Sequence, residues 1–414
     1  MKPNLLLNNI RRRVDELNKC VNCGLCQAVC PTYITEGYEG KTARGKIELL
    51  KGLLNNTIEP SVALADVFDD CLTCYACQSV CPAGVRTERL WTSAREDLAE
   101  FASSIMKKRR ALNWTIGKQR LFKFYVRNYG LFFGFNPAYP ERTKMVRYGL
   151  PVFRGAPYLR RLPEVIEPAK KTVGAVGLLI GCSGNLSAPW AVDAAIKLLT
   201  SAGLRVIIPK SQGCCGAPAI NNGYWSLACR LALKTIDLFE SLDIDYITSP
   251  DATCTAAMQN DYGEIFYDDD DVMKRWRVLR LKVRQMSGII AEALNDGRLR
   301  FKSDGRRIAL HDSCHNTHLG EPGRWREILS ALDNIRIVEM PNAALCCGFG
   351  GSYAVFHPGT SELIAQKKIA DASQTDADTL LVGSPGCQIR LNSVAAQKIQ
   401  VKLALELLTE LCTT

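Results

Sequence analysis

Apolar positions in the C-terminal part of the chain follow two periods that alternate. Short continuous apolar runs at 176–180, 205–209 and 246–249 read as buried strands, while 189–200 and 225–242 carry apolar residues at helical spacing. The order then recurs, with strands at 307–310, 335–338 and 379–382 and helices around 324–332 and 361–373. Strands alternating with helices predict parallel sheets joined by right-handed crossovers. The N-terminal pattern differs. At 43–54 the stretch ARGKIELLKGLL places Ile47, Leu50 and Leu54 on one side of a helix, and 87–101 is helical in pattern too. The segment 101–172 becomes rich in Pro and Gly towards its end (Pro140, Pro151, Pro157, Pro163, Pro168), which marks a boundary. The predicted fold class is α+α/β: an all-helical domain at 1–100, a basic helical connector at 101–172, and two repeated α/β domains with parallel sheets at 173–270 and 271–414. The acidic run Asp268 to Asp271 falls between the copies and reads as an exposed loop.

The two copies share chemistry as well as pattern. Cys182, Cys214, Cys215 and Cys254 recur as Cys314, Cys346, Cys347 and Cys387, at offsets of 132, 132, 132 and 133 residues. Gly216 and Gly348 complete a Cys-Cys-Gly in each copy. Each cysteine follows the carboxyl end of a predicted strand, the edge at which open α/β sheets bind ligands. Four thiols distant in sequence thus converge on one crevice per repeat, as metal ligands must. Zinc and iron both accept four thiolates. The turn Gly348 to Gly351 after Cys347 offers backbone N–H groups to that sulfur, or serves only as a tight strand-to-helix turn.

Cysteine spacing is tighter in the first hundred residues. Cys20-x2-Cys23-x2-Cys26-x3-Cys30 is followed by Pro31, and Cys71-x2-Cys74-x2-Cys77-x3-Cys81 by Pro82. This is the bacterial ferredoxin spacing, in which three sulfurs cap one face of a cubane and the fourth cysteine ligates the other cluster. The expected sets are Cys20, Cys23, Cys26 and Cys81 for one 4Fe–4S cluster, and Cys71, Cys74, Cys77 and Cys30 for the other. Two copies that each end in Cys-Pro argue against zinc or disulfides. The runs start 51 residues apart with a helical pattern between them, which predicts the all-helical two-cluster type of ferredoxin domain. The company of two clusters also favours iron over zinc in the repeats. Cys229 and Cys412 stand outside every pattern and are expected to pack as small apolar residues on helices.

Composition narrows the setting. At 414 residues the chain is long enough for two or three domains with cores of their own. Sixteen of its 18 cysteines fall into ligand-like patterns, which argues against a disulfide scaffold and for a reducing compartment. No secretory signal and no run of eighteen apolar residues is visible, so a cytoplasmic place is expected, with peripheral contact to the cytoplasmic face of a membrane allowed. The net charge of +10 is uneven: 101–161 alone carries 14 Lys or Arg against Glu141, a balance of +13, and the rest stands at −3. The same segment holds 13 aromatics, among them Trp114, Phe122, Tyr125 and Phe133. Basic residues interleaved with rings suit anionic lipid or an acidic docking partner. A solvated helical linker packed on its neighbour is the plainer alternative, and nucleic acid is the least favoured partner.

Two ferredoxin runs followed by two Cys-Cys-Gly repeats resemble the iron–sulfur subunits of glycolate oxidase (glycolate dehydrogenase), and those of lactate- and glycerol-3-phosphate-oxidising complexes. The resemblance covers nearly the whole chain. It is most specific at Arg44-Gly45-Lys46-Ile47, at Cys71-Leu72-Thr73-Cys74 through Cys81-Pro82-Ala83-Gly84-Val85, and from Cys346-Cys347-Gly348 to His357-Pro358. It implies a partner flavin subunit that oxidises the 2-hydroxy acid, and a chain that carries electrons onward, usually to a quinone. No residue here is then assigned to catalysis on substrate, in keeping with the absence of a G-x-G-x-x-G that opens a helix after a strand.

A second hypothesis is catalysis on this chain, as in heterodisulfide reductase subunits of the wider Cys-Cys-Gly family. Those repeats end in Cys-x2-Cys, whereas Ala257 and Arg390 stand at the last position here, which weakens that reading. His311, His315 and His318, three of the four histidines, crowd Cys314 and can supply protons or a ligand, or simply cap the next helix. No histidines flank Cys182 in the same way.

Overall fold

A computed structural model describes residues 7–101, 103, 104, 107, 109, 110, 121, 157–302, 304–311, 313–395 and 398–413. Residues 7–101 contain helices and no strand among the described residues, the longest helices being Ala43–Leu54, Val62–Asp69 and Thr87–Asp97. Ala43–Leu54 begins where Thr42 turns its hydroxyl back to accept from the Gly45 amide, and it buries Ile47, Leu50 and Leu53. These pack with Ile10, Leu17, Phe68, Leu90 and Trp91 as one small core. The Arg44-Gly45-Lys46-Ile47 stretch has a local reason. A side chain at Gly45 would strike the Glu39 carbonyl, and Lys46 is fully buried, its ammonium donating to the Lys41 carbonyl at 2.7 Å.

The remainder is α/β. In the first sheet β1 (Val165–Ile166), β2 (Gly174–Leu178), β3 (Leu204–Ile207) and β4 (Tyr246–Thr248) lie in the order β1-β3-β2-β4, with β2, β3 and β4 parallel and β1 an antiparallel edge. In the second, β5 (Arg307–His311), β6 (Arg336–Val338), β7 (Thr379–Val382) and β8 (Gln400–Leu403) are all parallel in the order β6-β5-β7-β8. Val176 sits opposite Val206, and Ile308 opposite Ile337, so the duplicated sequence pattern becomes a duplicated register. The fourth parallel position is filled differently in the two copies. Beside β7 it is β8, whereas beside β4 it is the single bridge from Ile247 to Val283.

Helices Pro189–Ser201, Met286–Asn295 and Ala404–Leu411 contribute to one continuous core with strands of both sheets. Residues of both sheets thereby share one core. Two expectations are corrected. Asp268 to Asp271 is not simply a loop: Asp269 caps helix Asp270–Lys282 by accepting from the Val272 amide, and acidic residues in a first turn complement the helix dipole. Cys412 lies just past helix Ala404–Leu411, bridged to Phe301, while Cys229 sits half-buried on helix Trp225–Glu240 as expected. Most of the basic segment 101–161 lies outside the described residues.

Candidate metal centres

Both N-terminal cysteine runs curl by the same device. Asn22 and Gly24 in the first, and Thr73 and Tyr75 in the second, have φ of 57°, 83°, 49° and 59°. Left-handed backbone at a residue with a Cβ costs roughly 1–2 kcal/mol; Gly24 avoids that cost, but Asn22, Thr73 and Tyr75 bear it, so the shared turn points to a shape that something else requires. The shape turns sulfurs inward. One cavity is lined by Cys20, Cys23, Cys26 and Cys81, with Cys77 at its wall. The adjoining one is lined by Cys30, Cys71, Cys74 and Cys77. The fourth cysteine of each run therefore lies with the other run's three.

Donors aim at these sulfurs. The amide of Arg44 donates to Cys26, the Val85 amide to Cys81 at 3.4 Å, and the hydroxyls of Thr32 and Thr87 lie 3.3 and 3.4 Å from Cys30 and Cys77. Lys41 and Lys46 line the second cavity, and no carboxylate lines either among the described residues. Four thiolates, N–H donors and cations are the surroundings an anionic iron–sulfur cubane needs, so the residues present fit that group. Cys23 is exposed, which brings the first site to the surface.

In the repeats every patterned cysteine lies beyond a strand's carboxyl end. Cys182 is on helix Gly181–Leu186 after β2, Cys214 and Cys215 follow β3, and Cys254 is on helix Ala252–Ala256 after β4. Cys314 starts helix Cys314–Leu319 after β5, Cys346 and Cys347 follow β6, and Cys387 is on helix Pro385–Asn392 after β7. The Cys-Cys-Gly turn is the same twice: Gly216 donates to Cys214 at 3.4 Å with φ of +93°, and Gly348 to Cys346 at 3.5 Å with φ of +84°. The Phe349 amide also donates to Cys347, so the glycine-rich turn does reach that sulfur. Cys182 and Cys214 are 3.7 Å apart, Cys215 hydrogen-bonds with Cys214 and Cys254, and Cys347 is 2.9 Å from Cys387. Of these eight cysteines all but Cys214 line one shared cavity of about 180 Å³. Asp251 closes it across the repeats, accepting from Ser183 at 3.0 Å and from Ser384 at 3.3 Å. Ala257 and Arg390 are both fully buried, and neither is among the residues that line this cavity.

The two turns differ in how closely they are packed, and this predicts unequal sensitivity. A Cβ on Gly348 would lie 2.6 Å from the Ser361 carbonyl, whereas on Gly216 its nearest neighbour is at 3.5 Å. Gly216→Ala is expected to cost about 1–2 kcal/mol from φ alone, and Gly348→Ala a further ~1–3 kcal/mol of overpacking. Thermal unfolding of the air-free protein checks this; equal losses would contradict it.

The histidines make the two sites unlike. His311 is buried at the end of β5, and burial, with Lys368 nearby, pushes its pKa down to about 3. Burial likewise brings His315 down to about 4; its Nδ1 is 3.5 Å from Cys314 Sγ. His318 is lowered by burial too. Lys368, buried behind Cys346 and Cys347, is lowered to about 8 and donates to the Asn342 and Ala343 carbonyls at 2.5 and 3.1 Å.

Sequence reasoning missed how the N-terminal domain meets the second repeat. Cys74 and Cys314 both hydrogen-bond with Cys346, and this contact together with burial raises both thiols well above the ordinary value. A bound cation reverses that logic by favouring the thiolate. Leu72, Tyr353 and Ile364 pack around them. Beneath lies a buried polar knot: Asp69 accepts from Arg109 at 2.7 Å and His357 Nε2 at 3.0 Å, and Asp70 accepts from Tyr353 at 2.6 Å and pairs with Lys41. Arg109 and Arg110, both from the basic segment, pair within the chain, Arg109 fully buried on Asp69 and Arg110 half-buried on Glu96. The signal available in sequence was the adjacency of Asp69-Asp70 to Cys71 and of His357 to the second Cys-Cys-Gly stretch.

Residues 16–85 match the model of a 4Fe-4S dicluster domain, and 176–259 and 308–392 match that of a cysteine-rich domain. The chain is 28% identical to the probable glycolate oxidase iron-sulfur subunit of Bacillus subtilis, covering 93% of this chain and 90% of that protein. It is 25% identical to the glycolate oxidase iron-sulfur subunit of Escherichia coli, over 93% and 92%. With lactate utilization protein A of an Exiguobacterium species it shares 30% identity over 52% of this chain and 88% of the relative.

Proposed function

The chain belongs to the family of iron–sulfur subunits, glycolate oxidase and lactate utilization proteins among them, that join a 4Fe-4S dicluster domain to two cysteine-rich domains, and from that premise we propose that it is the electron-carrying subunit of a 2-hydroxy-acid dehydrogenase complex of the glycolate-oxidising kind. Cys20, Cys23, Cys26 and Cys81 hold one 4Fe–4S cluster, and Cys71, Cys74, Cys77 and Cys30 the other. Bound there, such clusters supply one-electron carriage between a two-electron flavin donor and a quinone or similar acceptor.

The observation that carries the reading is the unbroken line of sulfur sites. It starts at exposed Cys23, crosses the wall shared at Cys77, and continues through Cys74 to Cys346 and the inter-repeat cavity. The protein's own part is to hold donors on those sulfurs and to fix the two domains together through Asp69 and Asp70. Substrate oxidation falls to a flavin-bearing partner, on the cytoplasmic side. The basic segment 101–161 is the stretch proposed to contact membrane or partner, and duplex nucleic acid is not expected to bind. Among the described residues no helix is long and apolar enough to cross a membrane.

The purified chain is expected to leave glycolate unoxidised with an added dye, and to be reduced by 2-hydroxy acid only when the flavin partner is present, as read by bleaching of the cluster absorbance. Dye reduction by the chain alone would overturn the assignment. One observation favours a second reading, catalysis in the repeats as in a heterodisulfide reductase: the sulfur-lined cavity of about 180 Å³ is large enough for a small molecule. Under that reading Cys314→Ala abolishes turnover of an added disulfide with both N-terminal clusters intact; under the first, no such turnover exists to lose.

A further inference from the structure

The second repeat holds a donor set that the first lacks. His311 Nδ1 lies 3.2 Å from the Ala343 carbonyl. A carbonyl only accepts, so Nδ1 carries the hydrogen and Nε2 presents a lone pair. Nε2 is buried and meets no hydrogen-bond partner among the described residues. An acceptor buried without a partner costs about 1–3 kcal/mol, which asks what it is for. Beside it stand two thiols. A His311 ring nitrogen, Cys347 Sγ and Cys387 Sγ all lie within 4.8 Å of one another, and all three residues are buried. An imidazole whose Nδ1–H is anchored on a backbone carbonyl is the arrangement that orients a metal-bound histidine. In the first repeat the position 132 residues earlier is Leu179, which is buried and cannot ligate.

We propose that His311, Cys347 and Cys387 bind a single zinc or ferrous ion in the second repeat, with the fourth coordination position on the cavity side that both sulfurs line. One nitrogen and two thiolates suit a tetrahedral, borderline-soft divalent ion. The four-cysteine set expected from sequence then divides. Cys347 and Cys387 go to the ion, while Cys346 and Cys314, in contact with each other and with Cys74, lie on the N-terminal domain's side. The first repeat keeps an all-sulfur set. This inference does not rest on the electron-transfer reading, because the ion can be present whatever the N-terminal clusters exchange electrons with.

The test uses the full-length chain prepared without air. Metal analysis is expected to find about one zinc or iron whose loss leaves the N-terminal clusters untouched. His311→Leu, which copies Leu179, should release about one equivalent of metal while the spin-resonance signals of the reduced N-terminal clusters persist. The wild-type protein keeps the idea falsifiable if that variant does not fold: zinc-edge X-ray absorption should show imidazole nitrogen together with sulfur, or Mössbauer spectroscopy a lone high-spin ferrous component. A zinc shell of sulfur alone, neither spectroscopic species, or full metal retention in His311→Leu would each overturn it.

Discussion

Replacing Cys30 with alanine is expected to empty the site of the second cysteine run, not of its own, and to bring iron in the N-terminal domain from about eight to about four per chain. The expectation follows from where the chain places the fourth cysteines. Cys30 lines the cavity of Cys71, Cys74 and Cys77, and Cys81 that of Cys20, Cys23 and Cys26. Pairs of substitutions make the assignment decisive. Adding Cys71→Ala to Cys30→Ala strikes the same site twice and should leave about four irons, whereas adding Cys20→Ala strikes both sites and should leave almost none. The reverse ranking, measured by iron analysis of air-free protein, would show that each run closes on its own cluster. Either single loss should bring substrate-driven electron delivery by the assembled complex to background.

Asp69→Asn should be the most damaging change outside the cysteines. Burial alone would raise the Asp69 carboxyl, but the Arg109 guanidinium, a hydrogen bond from His357 and the charge of Arg95 outweigh it and hold it well below the usual carboxylate range. Arg109 is itself buried, so the substitution leaves a cation without its anion. Breaking a buried pair by removing one partner costs about 3–5 kcal/mol, an appreciable share of what holds a domain together. The pH dependence has a definite sign. A folded pKa below the unfolded one gives stability that is complete above the unfolded value, near 3.9, and is lost as pH falls through the lower folded value. The pair should thus be constant between pH 5 and 8 and weaken only in more acid solution. Asp69→Asn should remove that acid limb from the unfolding midpoint measured against pH; an acid limb of unchanged size in the variant would count against the pair's role.

Much of this architecture was legible because its periods are strong. Helix Ala43–Leu54 and strand Thr379–Val382 fall where the pattern put them, and the duplicated cysteines mark the same strand ends in both copies. Weaker signals hid the rest. β1 is a two-residue edge held by its pairing with β3 and too short to show a period, while helix Asp270–Lys282 mixes buried Val272, Trp276 and Leu279 with exposed Val278 and Leu281, which blurs its helical spacing. The meeting of the two repeats across one cavity, and of Cys74 with Cys346, depends on tertiary packing between segments hundreds of residues apart. No local pattern encodes that. His311 was visible only as a histidine near Cys314; its nearness to Cys347 and Cys387 needed the parallel order β6-β5-β7, which brings three strand ends side by side.

On the proposed reading, the adjoining cavities of the N-terminal domain each take one 4Fe–4S cluster. Spin resonance of the dithionite-reduced, air-free protein, with iron counted on the same sample, decides the matter. About eight irons in that domain and two reduced-cluster signals broadened by mutual coupling are expected. A single uncoupled signal at about four irons, or zinc in place of iron in those cavities, would contradict that reading.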